Sequence, residues 1–333
     1  MRKAYCCGII KRWSCTAIIP TVIMLAFGCQ PNPESIPAEP VEGQAVSLRL
    51  QADTTAAQTI TLGDIDPDDP IKKVDRFLPL AEYLGANLGE FGITRGDVVI
   101  ARDTDEMAQM IQEGIVDIYF DSAFPTLEVQ DQASTRVIAR RWKDGDPSYW
   151  SAFIAREGSG IDGVEDFAGK LVAFENPHST SGFLLPAGTL AQRGLRLRQV
   201  ADPDARVAAD EVGYLFSKED EHTVDLVLQG KVAGGAVSNE DFFEQSLEVQ
   251  GRLVMFDRTM AVPRQLVSVG PGLSRELSDR IVELLVGLEA TEEGRAILNR
   301  LKNTRRFDNP PPETAASLVE LDSLMDLLSS SID

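Results

Sequence analysis

Cysteine and histidine are the scarcest chemistry in this 333-residue chain, with four of the first and two of the second. All the cysteines, Cys6, Cys7, Cys15 and Cys29, fall near the N-terminus. A chain processed before Cys29 therefore keeps one thiol, which excludes a disulfide framework and a cysteine-based metal cluster. His178 and His222 are far apart and lack paired spacing, so no zinc site and no cofactor is expected. Basic residues are also few: 32 Lys and Arg stand against 52 Asp and Glu, a formal charge of −20. That balance excludes the basic footprint of a nucleic-acid-binding protein. No G-x-S-x-G elbow and no S-x-x-K at the central serines is present, and no internal repeat is evident.

What the N-terminus does contain is a targeting pattern. Arg2, Lys3, Lys11 and Arg12 precede an apolar run from Thr16 to Phe27, too short for a mature membrane span, so residues 1–28 read as a signal peptide. Leu25-Ala26-Phe27-Gly28-Cys29 resembles a bacterial lipobox, with the leucine four residues before the cysteine instead of the usual three. Lipid attachment at Cys29 and an extracytoplasmic, membrane-anchored location follow as expectations. Residues 29–58, rich in Pro, Glu, Ala and Gln, read as a disordered tether.

The central stretch is Leu171 to Leu190, LVAFENPHSTSGFLLPAGTL. Its first four residues suit a buried strand, which Pro177 terminates because proline has no N–H to give a ladder. Ser179, Thr180 and Ser181 then precede Gly182 and an apolar segment, so hydroxyls gather at a helix start. The free N–H groups and positive dipole end there can bind an oxyanion without a lysine. An ordinary Ser/Thr cap fits the same local pattern.

NPHSTSGFLLP and DPSYWSAFI (146–154), with GIVDIYFDSAFP, VPRQLVSVGPGL and the TEEGRAIL helix, carry a resemblance from about Thr59 to Asp308. The chain resembles the PhnD-like periplasmic receptors of ABC importers for phosphate, phosphite and phosphonate. That resemblance implies a two-lobed type II periplasmic-binding-protein fold, α/β, each lobe a mainly parallel sheet flanked by helices, with the ligand cleft between lobes. It also implies that the S-T-S hydroxyls and nearby N–H groups hold phosphoryl oxygens. Lobe 1 is expected over 59–148 and 250–333, lobe 2 over 149–249.

In chain order, strands are expected at Ile60–Gly63, Val98–Ala101 and Val116–Phe120, with helices at Phe77–Leu88 and Thr104–Glu113 between them, an alternation that argues a parallel α/β sheet. Asp64 to Pro70 reads as a solvated turn and not a calcium loop. Ligands sit at the carboxyl ends of such strands, so Thr104, Asp121 and Ser122 are candidate ligand contacts. Tyr149 to Ala155 is the crossing strand; Tyr149 or Trp150 walls the ligand, or both are interlobe core aromatics. A helix is expected at 202–211, a strand at Val212–Phe216, a helix at Asp220–Gly230 and a strand at Val232–Ser238 that leads to Asn239-Glu240-Asp241, a candidate cleft wall at a strand end. His222 is a helix-start polar residue able to look into the cleft. Leu253–Phe256 and Leu266–Val269 are expected in lobe 1, with Val262 to Gln265 near the hinge, and the last helix, Leu318–Leu328, is expected to pack on lobe 1. Resemblance to aminoalkylphosphonate receptors aligns one of their two ammonium-holding acids with Glu240 and the other with Gln265, which implies a small inorganic oxyanion or an amine-free phosphonate. Arg264 either adds a bond to the anion or is an exposed hinge arginine.

Three functions remain open on this reading. The first is a monomeric lipoprotein that binds a small oxyanion and docks on an ABC permease. The second is a sensor or scaffold that retains the fold, and the third is a hydrolase using Ser179 or Ser181, which lacks an evident base. The expectation is a binding protein, not an enzyme.

Overall fold

The computed structural model describes residues 58–66, 69–201, 204–302 and 304–332. The leader, most of the tether and Cys29 lie outside the described residues. Lobe 1 begins with β1 (Gln58–Ile65), α1 (Pro70–Asn87), β2 (Ile93–Ala101), α2 (Thr104–Gln112), β3 (Ile118–Asp121), α3 (Ala123–Ala133) and β4 (Arg136–Arg141). The chain crosses through β5 (Ser148–Tyr149) to β6 (Ser151–Arg156), β7 (Leu171–Phe174), α4 (Leu185–Gln192), β8 (Arg196–Gln199), β9 (Glu211–Phe216), α5 (Asp220–Leu228), β10 (Gly234–Ser238), α6 (Asn239–Glu244), α7 (Leu247–Gln250) and β11 (Leu253–Arg258). It returns through β12 (Val262–Pro263) to β13 (Gln265–Val269), α8 (Arg275–Gly287), α9 (Glu292–Arg300), β14 (Phe307–Asp308) and α10 (Pro312–Ser331). No helix among the described residues is long and apolar enough to cross a membrane.

Two six-stranded sheets result, ordered β14-β4-β13-β3-β1-β2 and β11-β6-β10-β7-β9-β8. Each is mixed. In lobe 1, β1 runs parallel to β2 and β3, while β13, β4 and β14 pair antiparallel. In lobe 2, β10, β7, β9 and β8 are parallel and β6 and β11 complete the sheet antiparallel. The two crossings meet as a two-stranded hinge, Tyr149 opposite Val262 and Ser148 opposite Pro263.

Apolar periodicity explains the layers. Phe77, Leu80 and Leu84 of α1 lie buried against Ile60, Leu62, Ile118 and Phe120 of the first sheet, and Phe77 meets Phe120 edge to face at 5.2 Å. Asp69 caps α1 by accepting from the Lys72 N–H at 3.2 Å, with Pro70 at the first helical turn. Thr291 likewise caps α9 by accepting from the Gly294 N–H. In lobe 2, Phe174, Phe183, Tyr214 and Phe216 form a ring cluster beneath the central turn, with centroids 5.1 to 5.7 Å apart.

Four expectations are corrected here. Leu253–Arg258 does not return to lobe 1: it pairs antiparallel with β6, so the second sheet extends beyond residue 249. The last helix packs on lobe 2, where Leu321, Leu324 and Leu328 share a buried cluster with Leu184, Leu185 and Leu190. Residues 204–210 form no helix; the segment instead seats Val207 in the space left by Gly213, where an added Cβ would stand 2.5 Å from the valine methyl. Asp64 is not a solvated turn residue. It is 4% exposed and accepts a 2.7 Å bond from the Lys73 ammonium.

Candidate functional site

Strand β7 ends at Phe174, and the chain doubles back so that the Glu175 N–H donates to the Gly182 carbonyl at 3.0 Å. Thr180–Leu184 form one π-helical turn that runs directly into α4, and such wide turns recur at functional positions. The Ser179 hydroxyl accepts from the Gly182 N–H at 2.8 Å, which is the expected cap, and also bonds the Glu175 carboxylate. Gly182 is required there: a Cβ would fall 2.4 Å from the Glu175 Cβ and 2.9 Å from the Ser179 oxygen.

The start of α3 in lobe 1 meets this turn. The Phe124 N–H donates to the Thr180 hydroxyl oxygen at 2.9 Å, and that hydroxyl donates to the Ser122 oxygen at 3.1 Å. Ser151 in β6 donates to the Ser181 carbonyl at 2.7 Å. Tyr149, 2% exposed, comes from the hinge and places its hydroxyl among Thr180 and Ser181; burial pushes its pKa up to about 12 despite Arg264 and these two hydroxyls. Two helix N-termini from different lobes and one phenol thus converge on one point.

They open into a cavity of about 510 Å³. Its lobe 2 wall carries Glu175, Asp220 and Asp241, and its lobe 1 and hinge wall carries Lys143, Arg264 and Lys302. The three carboxylates stand just beyond the carboxyl ends of β7, β9 and β10. Burial, then repulsion from Glu175 and Asp241, holds the Asp220 carboxyl well above the carboxylate range. Burial also raises Glu175, opposed by the Ser179 hydroxyl. Facing them, burial and the neighbouring Arg264, Lys302 and Arg141 charges bring Lys143 down to about 7.

The residues singled out by sequence fall in different places. Ser179, Thr180, Ser181, Ser122, Tyr149 and Glu240 line this cavity; Thr104, Asp121 and His222 do not. Thr104 is buried in the first turn of α2. Asp121 accepts from the Tyr119 hydroxyl at 2.8 Å and the Ser122 N–H at 2.7 Å, with burial and Asp64 raising it to about 6; its oxygens are committed to the fold. His222 faces the Ser217 carbonyl. Of the two crossing aromatics, Tyr149 faces the cavity, while Trp150 stacks edge to face on Phe243.

Glu240 is ion-paired with Arg264, which also reaches Asp144 at 3.5 Å. Burial pushes the Glu240 carboxyl up to about 7, Arg264 opposing it only in part. Arg264 is therefore no exposed hinge arginine: it is 9% exposed and lies 4.6 Å above the Tyr149 ring. Gln265 accepts from Arg141. The count of acids at Glu240 and Gln265 does not decide the ligand's charge, because Glu175, Asp220 and Asp241 face the same space. Of these three, sequence reading singled out Asp241 as a cleft-wall candidate and missed Glu175 and Asp220, although the rule placing ligands at strand carboxyl ends points to all three. No group of His, Cys, Asp and Glu among the described residues is arranged to hold a metal ion. Neither histidine contacts a cavity serine, since His178 faces Glu128 at 3.5 Å.

Residues 66–314 match the family described as "ABC transporter, phosphonate, periplasmic substrate-binding protein", and the chain belongs to that family. It is 32% identical over 142 residues to the phosphate-import protein PhnD of Mycolicibacterium smegmatis, a match that spans 41% of this chain and 43% of that one. It is 22% identical over 253 residues to the phosphonates-binding periplasmic protein of Escherichia coli, spanning 73% of this chain and 70% of that one. XAC2383 from Xanthomonas citri, solved with chloride and with ATP, superposes with a TM-score of 0.77 at 24% and 23% identity, covering 82% and 83% of this chain and 99% of that one. These likenesses establish the two-lobed fold of type II periplasmic binding proteins.

Proposed function

We propose that this protein binds a phosphorus oxyanion, whether phosphate, phosphite or a phosphonate, in the cleft cavity and delivers it to an ABC permease. It acts as a monomeric receptor held to the outer face of the membrane by lipid on Cys29. The observation that carries the reading is the convergence of the Ser179–Ser181 turn with the start of α3, linked through the Thr180 hydroxyl. Helix N-termini supply unspent N–H donors and a positive dipole, and charge-assisted hydrogen bonds to an oxyanion are each worth about 1.5–3 kcal/mol. In this reading Ser179, Ser181 and Tyr149 contact the phosphoryl oxygens. Glu175, whose burial favours its neutral form, shares one proton with the anion instead of repelling it.

Titration calorimetry against phosphate, phosphite, methylphosphonate, 2-aminoethylphosphonate and sulfate tests this. A phosphorus oxyanion should bind in the micromolar range or tighter. Ser179→Ala with Ser181→Ala should weaken it by about 2–5 kcal/mol, two charge-assisted bonds being lost. Unchanged affinity in a double variant that stays folded refutes the assignment.

A further inference from the structure

The cavity has a side recess of about 60 Å³ in lobe 1 that contains none of the Ser179–Ser181 turn. Lys143, Gln265 and Lys302 line both spaces, so the recess adjoins the main cavity. Its remaining walls are Asp64, Lys73, Arg76, Phe77, Arg141 and Leu301. Five cations thus meet one carboxylate, and that carboxylate is committed to Lys73 at 2.7 Å. Arg141, 4% exposed, spends its N–H groups on neutral acceptors: the Thr304 hydroxyl, the Gln265 amide oxygen and the Leu301 carbonyl. Among the described residues no carboxylate lies within 4.0 Å of Arg76, Arg141, Lys143 or Lys302. Arg264, by contrast, is neutralised by Glu240 and Asp144.

Of these cations Arg141 is buried, Lys73, Arg76 and Lys143 are half-buried and Lys302 is exposed; crowding them with few carboxylates is costly, and burial with mutual repulsion, opposed by Asp144, brings Lys143 to about 7. Such a recess is incomplete until an anion enters. Its volume is about that of two water molecules, enough for one carboxylate or phosphoryl group and too small for a whole organic ligand. The main cavity, in turn, belongs to the size range of small organic ligands.

Resting on the proposed function, we infer that the recess formed by Arg76, Arg141, Lys143 and Lys302 is a second anion subsite, and that the ligand carries two anionic groups. One is the phosphoryl group at Ser179–Ser181; the other is a carboxylate or second phosphoryl group that enters the recess. The ligand class is a phosphonocarboxylate or a diphosphate. The acidic lobe 2 wall does not forbid this, because burial raises the Glu175 and Asp220 carboxyls and so weakens their repulsion of an anion.

The test is titration of the full-length protein with methylphosphonate, phosphonoacetate and pyrophosphate, in parallel with its Arg76→Gln and Lys143→Gln variants. At least one of the two doubly anionic probes should bind tenfold or more tightly than methylphosphonate. Arg76 lines the recess and not the main cavity, so Arg76→Gln should reduce that preference fivefold or more while methylphosphonate affinity stays within twofold. Lys143→Gln, which neutralises the charge shared by both spaces, should reduce the preference further. Methylphosphonate binding as tight as both other probes, or a preference untouched by Arg76→Gln, overturns the second subsite and leaves the oxyanion reading standing. A protein that binds none of the three overturns both.

Discussion

Gly182→Ala sets a sign that local propensity and tertiary packing assign oppositely. Inside a helix, alanine ordinarily gains about 0.5–1 kcal/mol over glycine, because glycine loses more backbone freedom on folding. Here the new methyl would fall 2.4 Å from the Glu175 Cβ, 2.5 Å from its carboxylate and 2.9 Å from the Ser179 hydroxyl. The first of these is an atom fixed to the end of β7, so the turn or the strand must move. Overpacking of this kind costs about 1–3 kcal/mol, which exceeds the gain. A net loss of about 1–2 kcal/mol corresponds to a fall of roughly 2–8 °C in the unfolding midpoint for a lobe of this size. Because the displaced atoms build the turn proposed to hold the oxyanion, affinity for phosphate or methylphosphonate should fall at least tenfold, about 1.4 kcal/mol. Adding Glu175→Ala should not restore stability, since its Cβ remains. Calorimetric melts with and without ligand supply both readings. A raised midpoint with retained affinity would refute the close approach of Glu175 to the turn.

Two further outcomes follow from contacts elsewhere. The Glu128 carboxylate of α3 raises the His178 pKa by a hydrogen bond across the lobes, with Asp103 and Asp121 adding to it. A raised histidine stabilises below its ordinary value near 6.5 and loses that contribution as pH rises through the elevated one, so the melting midpoint should decline between pH 6 and 8, less so in Glu128→Gln; identical profiles would exclude the link. Deleting residues 312–333 removes Leu321, Leu324 and Leu328, at 0%, 1% and 5% exposure, and uncovers Leu184, Leu185 and Leu190 of lobe 2, a loss of roughly 5–9 kcal/mol at about 1.5–3 kcal/mol for each leucine removed. Hydrogen exchange should then accelerate in β7, β9 and α4 before β1 and β3, and the reverse order would contradict the docking of α10 on lobe 2.

Local pattern in the sequence reaches as far as contacts within one element or between neighbours. The apolar run Leu171 to Phe174, the proline after it and the hydroxyls before Gly182 were sufficient for a strand, a turn and a capped helix start. Thr291 with two acids in the next turn announced α9 by the same logic. Leu253 to Phe256 is different, because apolar residues show that a segment is a strand and leave its partner open; pairing with β6 is a long-range choice. The last helix poses the same difficulty. Its leucines form a face, but the matching groove is built from residues more than a hundred positions earlier. At the site, Glu175 reads as a turn acid and Asp220 as a helix-start acid in a chain with 52 acids, and only folding brings them within reach of each other. Arg264 was ambiguous for a like reason: its burial depends on Glu240 and Asp144 arriving from opposite sides of the hinge.

The acidic composition and an anion site are compatible because charge is sorted between the lobes. Exposed carboxylates elsewhere are screened within about 10 Å at moderate salt, so the net charge of −20 weighs little inside the cleft. What counts there is the facing pair of walls. Lobe 2 presents Glu175, Asp220 and Asp241, and lobe 1 with the hinge presents Lys143, Lys302 and the arginines behind them. Burial raises the Glu175 and Asp220 carboxyls and lowers Lys143 to about 7, so each wall carries less charge than its composition alone would give. A receptor of this build gains selectivity from the lobe 2 acids, which exclude any anion unable to accept or share a proton beside Glu175. In the proposed two-anion reading it gains affinity from lobe 1, where Arg76, Arg141, Lys143 and Lys302 gather with no carboxylate paired to them. The hinge pair Glu240 and Arg264 lies between the two walls and is ion-paired, so it leaves the net charge of the site to the walls on either side.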